Sequence, residues 1–109
     1  MDNHAIEEMF EPLGRVTIRR MFGGKGIYHH GLIVALELSD GELLLKADAT
    51  SAPEFRAAGA RQWSYETKKG KAAAMPYWTV PDEALDDPDI MAKWLTLAYE
   101  AALRSQGQT

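Results

Sequence analysis

The stretch Arg19-Arg20-Met21-Phe22-Gly23-Gly24-Lys25-Gly26-Ile27-Tyr28 decides how this chain folds, because a basic strand enters three closely spaced glycines and leaves as a second strand. Glycine alone takes positive φ without steric cost, so Gly23, Gly24 and Gly26 let the backbone turn sharply or let another backbone approach closely. A phosphate-binding loop is the rival reading. It needs G-x-x-x-x-G-K-[ST], or G-x-G-x-x-G opening a helix, so that backbone N–H groups and the helix dipole converge on phosphate. Here Gly26 follows Lys25 where Ser or Thr is required, His29 stands where the last dinucleotide glycine would fall, and a strand lies downstream. A structural turn or bulge is expected.

Working outward, residues 16–21 alternate apolar and polar, as a half-buried strand does. Downstream, His30-Gly31 reads as a two-residue hairpin turn and Asp40-Gly41, joining Leu38 to Glu42, is a strong hairpin signal, which extends the pair to a four-strand antiparallel meander. Ile6, Met9, Phe10 and Leu13 fall on one helical stripe, so a first helix is predicted over residues 3–13, capped by Asp2 or Asn3 and stopped at Gly14. Thr50 or Ser51 followed by Pro53 opens a short second helix that places Phe55 inward and ends at Gly59. Trp63, Tyr65 and Thr67 alternate with polar residues in a fifth strand, and Lys68-Lys69-Gly70-Lys71 is its turn. Residues 73–80 form a sixth, where Pro76, lacking an N–H, requires an edge position or a bulge.

Asp87-Pro88 opens the last helix with a capping carboxylate and a first-turn proline. Its stripe of Met91, Trp94, Leu95, Ala98 and Ala102, broadened by Ile90, Leu97 and Ala101, must pack against the sheet or a second subunit. Residues 106–109 read as a frayed tail. The order α-β-β-β-β-α-β-β-α describes an α+β fold with an antiparallel sheet of about six strands flanked by helices. The 109 residues suffice for a single domain spanning 1–109, as a monomer or a small homo-oligomer such as a homodimer.

Zero cysteines exclude disulfides, a Cys nucleophile and thiolate metal sites. The first residues lack a basic segment ahead of an apolar run, and no run approaches the ~18 apolar residues that span a bilayer, so no membrane association and a cytoplasmic location are expected.

Several of these segments recur together, in order, in a known group: the Arg19 to Tyr28 stretch; Leu44-Leu45-Lys46-Ala47-Asp48; Phe55, Ala58 and Gly59; Met75-Pro76-Tyr77-Trp78-Thr79-Val80-Pro81; and Leu85-Asp86-Asp87-Pro88. In them the chain resembles the N-terminal domain of the TfoX/Sxy family over residues 5–104. Met21, Phe22, Gly23, Gly24, Gly26, Tyr77, Trp78 and Pro81 carry that structural motif. The resemblance implies a secretion-chaperone-like α+β fold and a non-catalytic relative of competence regulators, which act as transcriptional co-regulators. Those regulators carry a second, helical C-terminal domain, whereas this sequence ends after its last helix, so a stand-alone domain is expected.

No residue set for catalysis stands out. Ser39, Ser51, Ser64 and Ser105 lack a G-x-S-x-G setting, and an activated nucleophile needs a positioned base, so no enzyme and no cofactor are expected. His29 and His30 are neighbours that would point to opposite faces of a strand, His4 lies near the start, and no metal site is expected. The run Asp86-Asp87-Pro88-Asp89 reads as helix capping rather than a cation site. Trp63, Tyr65, Tyr77, Trp78 and Trp94 read as core aromatics rather than stacking platforms for bases.

The net charge of −4 hides a segregation. Acidic blocks alternate with two basic ones, Arg15, Arg19, Arg20 and Lys25 in the first and Arg61, Lys68, Lys69 and Lys71 in the second. Two functions follow. One is a regulatory domain that contacts a protein partner. The other is a nucleic-acid-binding module using Arg19, Arg20, Lys25, Lys68, Lys69 and Lys71, which requires both basic turns on one surface.

Overall fold

Four consecutive strands, β1 (Thr17–Met21), β2 (Gly24–His29), β3 (Leu32–Glu37) and β4 (Leu43–Lys46), zigzag as an antiparallel meander in the computed structural model. It describes residues 1–21, 23–66 and 68–107, so expectations placed on Phe22, Thr67, the last two residues and the Tyr65 side chain lie outside the described residues. Met21 pairs with Gly24 across the first turn, where Gly23 has φ +80°. Gly24 needs its missing side chain for a different reason: a Cβ there would sit 2.1 Å from the Glu37 carbonyl oxygen of β3. The β2–β3 turn has φ +49° at His30 and +80° at Gly31, the signs that match the twist of a hairpin.

After β4 the chain leaves the sheet for α2 (Ala52–Ala57), returns as β5 (Gln62–Glu66), and fills the gap with β6 (Ala72–Thr79), giving the strand order β1-β2-β3-β4-β6-β5. Pro76 therefore lies on an interior strand, and it is the bulge that accommodates it. Gln62 pairs with Trp78 but Ser64 pairs with Ala74, so β6 carries extra residues around Pro76. Its carbonyl still accepts from the Ala47 N–H at 3.0 Å.

Ile27, Ala35, Leu45 and Trp78 stand side by side across β2, β3, β4 and β6. They join one core cluster with Ile6 and Phe10 of the first helical segment, Phe55 of α2, and Trp94, Leu95 and Ala98 of α3 (Pro88–Gln106). All three helices thus cover one face of the sheet, each fully buried large side chain contributing roughly 1.5–3 kcal/mol. The apolar stripe of α3 lies across β3 and β4.

The helix starts obey local chemistry. Asp87 Oδ1 accepts from the N–H groups of Asp89 at 2.9 Å and Ile90 at 3.3 Å, and Asp2 Oδ1 accepts from Ala5 at 2.8 Å. Two details differ from the sequence reading. Helix α1 (Asn3–Met9) ends before residue 13, because Pro12 has no N–H to continue the ladder. Ser51 makes no side-chain cap for α2; Asp48 instead accepts from the Thr50 and Ser51 N–H groups, each at 3.1 Å. A 3₁₀ turn at Asp82–Ala84, which the sequence reading does not contain, swings the chain from Pro81 into α3. Among the described residues no helix is long and apolar enough to cross a membrane.

Candidate functional site

The glycine turn opens onto a cleft of about 600 Å³ on the helix side of the sheet rim, floored by Glu37. Strand register puts Arg20, Lys25 and Glu37 on this face, one above the other. Glu37 is buried, with Lys25 Nζ 3.9 Å from Oε1 and the Met1 ammonium 3.3 Å from Oε2. The latter approach is ionic and lacks hydrogen-bond alignment, so Oε2 has no hydrogen-bond partner. Lys25 also donates to the Met1 carbonyl at 2.9 Å, which ties it into the protein's own network.

The opposite, helix-free face is hollow. Met21 of β1 and Trp63 of β5 line one cavity of about 310 Å³ together with Leu36. Since β1 and β5 are the two edges of the sheet, the sheet curls until its edges approach each other over this side. Leu44 and Tyr77 point here and are buried without any helix above them. Burial raises the Tyr77 phenol above its usual pKa, with Tyr28 adding to the effect. Burial likewise pulls the Lys46 ammonium down, and Asp48 partly offsets it.

A third depression, of about 370 Å³, runs on the helical side between α1 and the corner that leads into α3. Ala5, Met9 and Pro12 form one wall; Leu85, Pro88 and Met91 form the other. Leu85 is 56% exposed, the most exposed large apolar side chain among the described residues. Leu85 and Met9 also line a neighbouring hollow of about 410 Å³ that reaches Leu43 and Val80, so the groove continues past Leu85.

The residues singled out by sequence scatter over this frame. Because β1, β3 and β6 run in the same direction, the Gly23 turn and the Lys68 to Gly70 turn sit at opposite ends of the sheet and beside opposite edges. Arg19 lies over the Tyr28 ring at 5.5 Å, Arg20 is exposed at the rim cleft, and Lys68, Lys69 and Lys71 are exposed at the far corner. Trp78 and Trp94 are core residues as expected, Tyr77 is buried on the hollow side, Pro81 is buried, and Trp63 is only half-buried in the hollow.

His29 and His30 do not diverge. Their rings stack at 3.9 Å, because the positive φ of His30 turns it back from the strand. His29 Nδ1 is 2.7 Å from the Arg15 carbonyl and His30 Nδ1 is 3.2 Å from the Tyr99 hydroxyl. Among the described residues no group of three or more His, Asp or Glu is arranged to hold a metal ion.

Sequence reasoning missed Glu37, the hollow and the Leu85 groove. Only Leu85 carried a signal, a leucine set among Glu83, Asp86 and Asp87.

A family model described as the TfoX N-terminal domain matches residues 8–102. No curated protein matches the chain at a significant level. The matched span takes in the rim cleft from Arg20 to Gly41, the hollow and both walls of the Leu85 groove beyond residue 7.

Proposed function

From the premise that this chain belongs to the TfoX N-terminal domain family, and so is a competence-regulator-like domain, we propose that it is a non-catalytic regulatory domain acting in the cytoplasm through contact with a protein partner. The observation that supports this most is the apolar groove between α1 and the start of α3, with Leu85 standing exposed in it. A contiguous apolar patch rimmed by polar groups is the usual mark of an interaction surface, and here Met9, Pro12, Leu85 and Pro88 line one groove. Transcription is the process this reading favours, by way of the partner rather than by direct DNA contact.

Affinity capture of the tagged chain from its native cell, followed by mass spectrometry, tests the proposal. A partner that is retained after nuclease treatment and lost on Leu85→Lys is expected. Recovery of an inert monomer alone, or of material that disappears with nuclease, would sink it.

Nucleic-acid binding through Arg19, Arg20, Lys25, Lys68, Lys69 and Lys71 receives less support. The two basic turns lie at opposite corners, and Lys25 is held by Glu37. A gel-shift measurement at ~50 mM salt, where phosphate contacts are strongest, would revive this reading by showing binding that Arg20→Glu abolishes.

A further inference from the structure

The Leu85 groove is apolar on its floor and carries carboxylates on both walls. Segments 1–14 and 82–92 form its walls, and neither contains a Lys or Arg. Their carboxylates are Asp2, Glu7, Glu8 and Glu11 along one segment and Asp82, Glu83, Asp86, Asp87 and Asp89 along the other, and of these Glu8, Asp86 and Asp87 line the groove. Some of these carboxylates serve the fold: Asp2 and Asp87 cap helices and Glu83 accepts from the Trp94 indole at 3.2 Å. Glu8 faces the groove beside Ala5 and Met9, with His4 Nε2 3.0 Å from its Oε1, and Asp86 faces it from the opposite wall. The nearest lysine along α3, Lys93, is drawn away over the Trp94 ring at 4.7 Å and toward Glu54 at 3.9 Å. Arg61 enters only in the continuation beyond Leu85.

An apolar trough with negative walls selects its occupant by both properties. Burying Leu85, Met9 and Pro88 calls for aliphatic or aromatic side chains on the incoming surface. Like charge repels any acidic segment, while Lys and Arg flanking the apolar residues would meet Glu8 and Asp86 at the rim. The trough runs alongside α1, whose 7 residues span about 10 Å, enough for about two turns of helix.

We propose that the groove between α1 and the Leu85 corner is a docking site for a basic amphipathic helix of another protein, seated with its apolar face on Leu85 and its lysines or arginines against Glu8 and Asp86. This rests on the reading of the chain as a protein-contact domain and specifies how the contact is made.

Panning a phage-displayed library of random 12-residue peptides on the intact chain tests it. Enriched peptides are expected to combine Lys or Arg with Leu, Ile, Phe or Trp at helical spacing. Fluorescence anisotropy with the best labelled peptide should show affinity falling about tenfold for Leu85→Lys, about 1.4 kcal/mol, and by a similar factor for the doubly charge-reversed Glu8→Lys/Asp86→Lys chain. Binding should weaken as salt is raised. Should Leu85→Lys unfold by circular dichroism, the charge-reversed chain alone decides, since both of its positions are exposed.

No enrichment, acidic consensus peptides, or binding indifferent to both variants would overturn the inference. Peptides whose binding is lost on Trp63→Ala or Arg20→Glu would overturn the groove while leaving a protein-contact function standing. A dimer in sedimentation equilibrium that Leu85→Lys splits would replace the partner with a second copy.

Discussion

The two faces of the sheet bury similar residue types by different means. On one face Ile27, Ala35, Leu45 and Trp78 are sealed under three helices, and Phe55 and Trp94 close the layer with ring centroids 4.7 Å apart. On the other, Leu44 and Tyr77 are buried outside the cluster that the helices seal, and a cavity lined by Trp63, Met21 and Leu36 persists. Tightly filled space resists any change of volume, whereas a hollow tolerates it. The difference teaches where stability resides and where the surface is at liberty to do something else.

The contrast can be broken most directly with the two tryptophans. Trp94→Ala is expected to cost about 4 kcal/mol, since it leaves a large void and removes the Glu83 hydrogen bond, while Trp63→Ala should cost only about 1 kcal/mol. Urea unfolding followed by circular dichroism measures both; equal losses would mean that the hollow is as tightly packed as the core.

The next largest effect sits where the faces meet at the rim. Gly24→Ala would drive a Cβ into the Glu37 backbone and should lose roughly 3 kcal/mol, whereas Gly26→Ala meets the mobile end of Met21 at 2.7 Å and should lose about 1 kcal/mol. Comparing the two thermal midpoints separates a backbone clash from one a side chain can escape.

The helical layer is fastened to the sheet by Asp48, which receives Arg104 Nε at 2.6 Å and Nη2 at 3.0 Å as well as the α2 turn. The hydrogen bond from Arg104, with those from Ser51 and Thr50, holds the Asp48 carboxyl down at about 2 against partial burial. A carboxylate whose pKa is depressed by folding stabilises above its unfolded value and loses that contribution as pH falls through its folded value. Asp48→Ala should therefore cost about 2 kcal/mol at neutral pH, and its gap to the parent chain should shrink as pH falls from about 4 through about 2. A gap as large at pH 2 as at neutral pH would remove the ion pair from the account. The smallest effect belongs to Leu85→Lys, which should change stability by less than about 0.5 kcal/mol because the side chain already faces solvent.

What was legible in the sequence was what neighbours along the chain decide. Asp87-Pro88, His30-Gly31, Asp40-Gly41 and the stripe of α3 each specify a short-range geometry, and each forms as read. Pro12 and Asp48 show that even local signals compete, since the apolar stripe of α1 runs on past the proline that stops it. Invisible were features set by distant segments meeting. The placement of β6 between β4 and β5 decides between the edge and the bulge that Pro76 left open, and the curl carries Trp63 over to Met21. The separation of the two basic turns has the same origin, because it depends on strand direction and sheet order together.

That insertion of β6 has a consequence for how the molecule assembles. The first four strands zip together through short turns, and β5 with β6 can do likewise, but joining the two pieces through Lys46 and Tyr77 requires closing a long loop. Late, slow nucleation of that seam is expected, so pulse-labelled amide exchange during refolding should protect Ile27 and Ala35 before Tyr77, and the β4–β6 junction is where ribosome-bound nascent chain would wait for its C-terminal third.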